Sequence, residues 1–144
     1  MAGSKRRAEA IRLRRVYAAP EAADGARILV DRLWPRGIAR QVARIDAWLR
    51  DLAPSDGLRK RFHGHPEDWS AFRAAYAEEL LLPAAQAALA TLRERLAAGP
   101  VTLLYAAKDE ARNNAVALRL WLLRDAGPGI GIGPGTGTGT GPGG

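Results

Sequence analysis

The spacing of apolar residues along the chain changes several times, and each spacing predicts a different element. Residues 11–17 alternate imperfectly between apolar and basic positions, which is typical of a strand near a sheet edge. Residues 26–34 and 101–107 contain nearly unbroken apolar runs instead. Because such runs are typical of strands covered on both faces, we predict two central strands and one edge strand.

The long segment between the central strands is predicted to be helical, since its apolar residues recur every three or four positions. The first helix starts at residue 41, and one face of it carries Val42, Ile45, Leu49 and Leu52, with Trp48 beside them. Ser55 is the predicted N-cap of a short helix that ends at Phe62. Pro66 is predicted to occupy the first position of the next helix.

Two longer helices follow in the same segment. The first carries one aromatic and apolar stripe, formed by Trp69, Phe72, Tyr76 and Leu80. Helical spacing of this kind favours packing over base stacking, so the stripe is assigned to the core. The second helix follows Pro83 and ends at Gly99-Pro100, as helices commonly do. Its inner face is predicted to consist of Ala85, Ala88, Leu89, Leu92 and Leu96.

A final helix is predicted to begin near Glu110, with Asp109 as its N-cap. Its predicted inner face consists of Ala111, Ala115, Leu118 and Leu122. Because long helical connections separate the central strands, we expect these strands to pair in parallel. The predicted fold class is α/β, a small, mostly parallel sheet with helices packed on both faces and a helical insertion between the central strands.

Length and composition fit one domain with one core, since the chain has 144 residues. We divide it into a basic N-terminal arm (1–10), an α/β domain (11–126) and a Gly-rich tail (127–144). The tail is predicted to be disordered, because its repeats cannot bury enough apolar surface to offset the entropy of ordering. The sequence has no cysteine, no signal-peptide pattern and no apolar run near the roughly 20 residues of a membrane-spanning helix. A soluble cytoplasmic protein is expected, and its oligomeric state stays open.

Polar side chains follow both central strands. Asp31, Arg32, Trp34 and Arg36 follow the first, and Lys108, Asp109 and Asn113 follow the second. Because open parallel sheets bind ligands beyond the carboxyl ends of their strands, we predict a shared pocket there. The N-terminus of the final helix and the nearby cations would favour a phosphate or carboxylate, and the indole could stack on a ring.

Each predicted site residue is given a role. Ligand binding is assigned to Arg32, Trp34, Arg36 and Asn113. The candidates for catalysis are Asp31, Lys108 and Asp109. The lysine could act as an electrophile, a phosphate clamp or, if buried, an amine nucleophile, and either aspartate could act as a base. Whether any reaction occurs stays open, since no pair forms a self-evident nucleophile and base. A structural interpretation also stays open, in which Asp31 pairs with a neighbouring arginine, Trp34 plugs the core edge and Asp109 caps its helix.

The net charge of +7 favours anionic partners, although coding bias toward arginine is an alternative explanation for this composition. A second function, binding of nucleic acid, therefore stays open beside binding of an anionic small molecule. Its basic stripe would consist of Lys5, Arg6, Arg7, Arg12, Arg14 and Arg15.

The only histidines, His63 and His65, have a spacing that can ligate a metal. No third ligand lies at a recognisable spacing, so no metal site is predicted and no cofactor is assigned. No glycine-rich nucleotide fingerprint follows a strand.

The segment VDRLWPRG (30–37), preceded by IRLRRVY (11–17) and followed by TLLYAAKDE (102–110), resembles the YeaO-like proteins of domain-of-unknown-function family 488 (DUF488). The resemblance covers about residues 11–123 and implies an α/β architecture with a pocket formed by these segments. It implies no activity, because none is established for the family. This chain departs from its relatives at His63-Gly64-His65, where they show a histidine followed by aspartate, and at Arg112-Asn113-Asn114, where only Asn113 matches well.

Overall fold

The computed structural model describes residues 11–124 and contains one sheet, in which all neighbouring strands are parallel. The strands are β1 (Ile11–Arg15), β2 (Ala26–Leu29), β3 (Ala47–Trp48) and β4 (Val101–Tyr105), in the spatial order β1-β4-β2-β3. The helices are α1 (Arg40–Ala43), α2 (Asp56–Phe62), α3 (Trp69–Glu79), α4 (Pro83–Ala98) and α5 (Asn114–Leu123). The α/β class is therefore confirmed, and the N-terminal arm and Gly-rich tail lie outside the described residues.

Neighbouring residues of the central strands face two different cores. Ile28 and Leu103 belong to a large core that includes side chains of α3, α4 and α5. Leu29 and Leu104 belong to a smaller core on the opposite face, which α1 and the loops beside it cover. Both faces of β2 and β4 are thus buried, which accounts for their unbroken apolar runs.

The predicted helix from residue 41 is wrong beyond α1. Arg44 ends α1 in the left-handed region, with a φ of 51°. The amides of Asp46 and Leu49 then donate to carbonyl groups of β2 at 2.8 and 2.9 Å, so this segment joins the sheet as β3. Val42, expected on the inner face, is 78% exposed. Pairing with a buried strand outweighs the helical spacing here, because it satisfies backbone groups on both strands.

The last helix begins later than predicted and has a different cap. Its N-cap is Asn113, whose Oδ1 accepts the backbone N–H of Val116 at 2.9 Å. Asp109 instead accepts the amides of Ala111 and Arg112 in the preceding loop. Ala111, expected on the inner face, is exposed before the helix starts.

The predicted cap of α2 and the predicted bounds of α4 are confirmed. The Ser55 hydroxyl accepts the Leu58 amide at 3.1 Å and caps α2, while α4 runs from Pro83 to Ala98 as the periodicity indicates. Pro66 opens a short 3₁₀ turn that leads into α3. Among residues 11–124, no helix has both the length and the apolar character needed to cross a bilayer.

A buried ion pair fixes the start of β2. Asp24 and Arg27 are fully buried, and their Oδ2 and Nη1 atoms lie 2.6 Å apart. Arg12 and Arg14 also approach this carboxylate, at 3.1 and 3.0 Å. Burial alone would raise the pKa of Asp24, but the Glu21 amide and the surrounding guanidinium groups outweigh it and hold that pKa below its usual value.

Candidate functional site

A cleft of about 840 Å³ opens beyond the carboxyl ends of β2 and β4. The loop after β2 leads to α1, whose Ala43 lies in the smaller core, whereas the loop after β4 leads to α5, whose Leu118 lies in the larger one. The two connections therefore leave neighbouring strands on opposite faces of the sheet. Such a point is where open parallel sheets commonly bind ligands.

All the residues predicted to form the site line this one cleft. The β2–α1 loop (residues 30–39) and the β4–α5 loop (residues 106–113) contribute them. They are Asp31, Arg32, Trp34, Arg36, Lys108, Asp109 and Asn113. The structure therefore brings the two segments together, while the contacts of the individual side chains differ.

Asp31 joins the ends of the two central strands. Its Oδ2 accepts the Ala106 amide at 2.9 Å, and its Oδ1 accepts the side-chain N–H of Asn114 at 3.0 Å. Burial raises the pKa of Asp31, and the hydrogen bonds from Asn114 and Ala106 and the charge of Arg59 offset this only in part. The expected pairing of Asp31 with a neighbouring arginine is absent among the described residues, where its partners are neutral donors.

Arg32 is held against the backbone of Ala53 and Pro54, which also line the cleft. Its guanidinium donates to the backbone oxygens of Ala53 and Pro54, at 3.1 and 3.3 Å. These carbonyl groups orient the side chain without neutralising it. Its positive charge therefore remains for a ligand.

Trp34 packs against the smaller core and also lines the cleft. Its indole N–H donates to the Ile38 carbonyl at 2.8 Å, and its ring packs edge-on against Trp48 with the centroids 5.3 Å apart. Arg36 is exposed, and its backbone oxygen accepts the Tyr17 hydroxyl. The structure thus supports the interpretation of Trp34 as a plug at the core edge.

The β4–α5 loop supplies residues with three different environments. Lys108 is exposed at the cleft. Asp109 accepts two backbone amides, which hold the pKa of its carboxyl below the usual range and make it a poor base. Asn113 is buried. Its Oδ1 accepts the Val116 N–H, and its side-chain N–H donates to the Asp109 carbonyl. Its observed role is to fix the start of α5.

Three further cations of the cleft were missed in the sequence. They are Arg59 and Lys60 of α2 and Arg112 of the β4–α5 loop. The sequence feature that could have indicated the first two is the run of basic residues at the end of α2, just before the two histidines. The complete cationic set consists of Arg32, Arg36, Arg59, Lys60, Lys108 and Arg112, against two lining carboxylates, Asp31 and Asp109.

Most of these cations have no acidic partner in the part of the chain that the structure describes. Arg59 pairs with Asp56 at 2.7 Å. For the other five, no carboxylate within residues 11–124 lies at ion-pair distance. Like charges gathered in one concave place produce a positive potential that attracts anions.

Part of the lining of the cleft is aromatic. Phe62, Trp69 and Phe72, which we call the aromatic wall, line it together and are only partly buried. Tyr76 and Leu80 of the same predicted stripe are buried in the large core. The assignment of the stripe to the core is therefore incomplete, because its first turn also faces the cleft.

His63 and His65 also line the cleft. One ligand-type atom each of His65, Glu67 and Asp68 lies within 4.8 Å of the others, an arrangement that spacing alone did not reveal. All three side chains are exposed, and the His65 ring lies 3.3 Å from Glu67. A cation held by them would therefore be exposed to solvent.

The basic stripe proposed for nucleic acid is largely engaged within the described fold. Arg12 and Arg14 form ion pairs with Asp24. Arg15 donates to the two carbonyl oxygens that follow β4, at 2.8 and 3.0 Å. The other members, Lys5, Arg6 and Arg7, lie outside the described residues.

A match to a known family extends over the whole described domain. The family profile, described as "Inactive DUF488-N3 subclade", covers residues 10–127. The "Uncharacterized protein YeaO" of Escherichia coli (strain K12) is 43% identical over 113 residues, which are 78% of this chain and 96% of that protein. The "Uncharacterized protein Rv3073c" of Mycobacterium tuberculosis is 42% identical over 108 residues, 75% of this chain and 89% of that protein. No solved structure matches the chain.

Proposed function

The chain belongs to the DUF488 family. From the lining of its strand-end cleft we propose that this cleft binds an anionic or phosphorylated small molecule, such as a nucleotide. The observation that carries the proposal is the group of cations that line the cleft without a carboxylate partner among the described residues. A phosphate offers several oxygens to such donors at once, and charge-assisted hydrogen bonds are the stronger ones. The description of the matched subclade as inactive supports binding without turnover.

The cleft is partly organised for this role before a ligand arrives. The contacts of Arg32 with the Ala53 and Pro54 carbonyls hold its guanidinium in place, so binding costs little side-chain entropy there. Exposed Lys108 approaches from the other loop and can adjust to the ligand. A fixed guanidinium and a mobile amine together suit phosphates of different shapes.

A thermal-shift titration tests this proposal. Inorganic pyrophosphate and sulfate are added to the full chain, with ribose as the neutral control. We expect saturable stabilisation by the anions at millimolar or lower concentration and none by ribose, because ligand binding to the folded state raises its stability. The absence of any saturable shift with either anion would overturn the proposal.

Replacing Asp31 by asparagine is expected to strengthen sulfate binding about threefold to tenfold, equivalent to roughly 0.7–1.4 kcal/mol. The substitution removes a partly buried negative charge from the cleft and preserves the side-chain shape. Sulfate is the suitable probe because its charge is constant near neutral pH. The measurement is calorimetric titration at pH 7.

The Asp109→Asn variant is the matched control, since Asp109 lines the same cleft but is exposed. Solvent screens its charge, so its effect should be smaller than that of Asp31→Asn. Weaker sulfate binding by Asp31→Asn would instead show that the hydrogen bonds of Asp31 to the β4–α5 loop decide the outcome.

Nucleic-acid binding through the basic N-terminal stripe is the alternative, and charge alone supports it. Removing residues 1–9 should abolish retention on DNA at low salt if the alternative is correct, because phosphate contacts release counterions. The same truncation should leave the anion titration unchanged if the cleft is the site.

A further inference from the structure

The three rings of the aromatic wall pack against one another and against the large core. Phe72 stacks on Trp69 with the centroids 5.7 Å apart and 18° between the planes. Phe62 meets Phe72 edge-on at 5.8 Å. All three side chains line the cleft and keep part of their surface exposed there. The wall therefore offers apolar ring surface within the same space as the cations.

The tryptophans near the cleft differ in whether their indole N–H groups already have an acceptor. The indole N–H groups of Trp34 and Trp48 donate to the carbonyls of Ile38 and Asp31 at 2.8 and 2.7 Å. Within the described part of the chain, the indole N–H of Trp69 meets no acceptor. Trp69 is thus the lining tryptophan whose indole N–H has no acceptor among the described residues. Its ring stacks on Phe72 and packs against the large core, but part of it stays exposed.

The size of the cleft indicates a ligand larger than a phosphate. Its volume of about 840 Å³ lies in the upper part of the range that small-molecule sites occupy, about 300–1,000 Å³. A simple oxyanion bound between Arg32 and Lys108 would leave the aromatic wall in contact with water. A ligand with a planar ring would cover that surface and remove it from water.

We infer that the aromatic wall is the base-binding subsite of a nucleotide site, with Trp69 as its principal stacking residue. The inference rests on the proposed anion-binding function and extends it, because it selects nucleotides over sugar phosphates and inorganic anions. The phosphate is bound by Arg32 and Lys108, while the base packs on Trp69 and Phe72. Stacking of a base on an aromatic side chain is sequence-tolerant, so purine and pyrimidine nucleotides should both bind.

The test compares three probes on the full chain by calorimetric titration: adenosine 5′-phosphate, uridine 5′-phosphate and ribose 5-phosphate. We expect both nucleotides to bind about tenfold or more tightly than ribose 5-phosphate, from the stacking of one base. Trp69→Ala should remove most of this advantage and leave the affinity for ribose 5-phosphate unchanged. Trp69→Phe keeps a ring and should retain nucleotide binding within about threefold.

Fluorescence provides a second readout with a matched control. Adenosine 5′-phosphate should quench the tryptophan emission of the wild type and of Trp121→Phe, since Trp121 does not line the cleft. The quenching should be largely lost in Trp69→Phe, which remains folded because the aromatic packing is preserved.

The possible outcomes distinguish base stacking on the aromatic wall from anion binding by the cleft. Equal affinities for the nucleotides and ribose 5-phosphate would overturn the inference and leave anion binding standing. Equal weakening of all three probes by Trp69→Ala would also overturn it, because the wall would then act on the fold alone. Failure of every probe and of pyrophosphate to bind would reject both.

Discussion

Replacing Arg32 and Lys108 together by alanine is expected to weaken pyrophosphate binding about 100-fold or more. Each cation can form a charge-assisted hydrogen bond with the anion, and such bonds contribute about 1.5–3 kcal/mol each. Both residues line the cleft, and neither has a carboxylate partner within residues 11–124. Calorimetric titration of the double variant and of the wild type measures the difference.

The control for this experiment must remove the same charge elsewhere. Arg73 and Arg93 are exposed on α3 and α4, outside the cleft, so the double variant Arg73→Ala/Arg93→Ala is matched in net charge. It should bind pyrophosphate nearly as the wild type does. Equal weakening in both double variants would mean that general attraction by the basic protein, rather than this cleft, accounts for binding.

Replacing Asp24 by asparagine is expected to lower the free energy of unfolding by about 3–5 kcal/mol, because it leaves a buried guanidinium without its carboxylate. Arg27 is fully buried, and Asp24 is its ion-pair partner in the described structure. Arg14 loses the same partner, at 3.0 Å. Chemical denaturation at pH 7 measures the loss.

The same pair predicts how the stability of the wild type depends on pH. The pKa of Asp24 lies below its usual value of 3.8, so its ionised form contributes stability above that value. This contribution is lost as the pH falls through the lowered pKa of the folded state, and Asp24→Asn should lack that part of the acid transition. Asp56→Asn, which breaks an exposed pair with Arg59, is the control and should change stability little. A change of similar size in both variants would contradict the account.

The sequence predicts the buried parts of the fold well. The runs around Ile28 and Leu103 identify β2 and β4, because strands covered on both faces have no polar alternation. The segment around Ile45 and Leu49 is predicted as a helix but instead pairs with β2. Its spacing fits a helix, and the competing pairing with β2 depends on a partner that is distant in the chain. Local periodicity cannot report such a contact.

The position of the site was more predictable than its contacts. Arg32 and Lys108 follow the two central strands, and parallel strands end at the same edge of a sheet. The roles of Asn113 and Asn114 depend on where α5 begins. Because the helix starts at Asn114, Asn113 is the N-cap, and the Asn114 side chain donates to Asp31. Trp69 and Phe72 are predicted to lie in the core, because helical spacing does not distinguish a buried stripe from one whose end faces a cleft.

Anomalous diffraction from crystals grown with sodium tungstate tests the central claim most directly. Tungstate resembles phosphate in shape and charge, and its metal can be located without reference to the protein. The account predicts the strongest anomalous peak in the cleft, within hydrogen-bonding reach of both Arg32 and Lys108. Peaks confined to other surfaces, with the cleft empty at saturating tungstate, would contradict it.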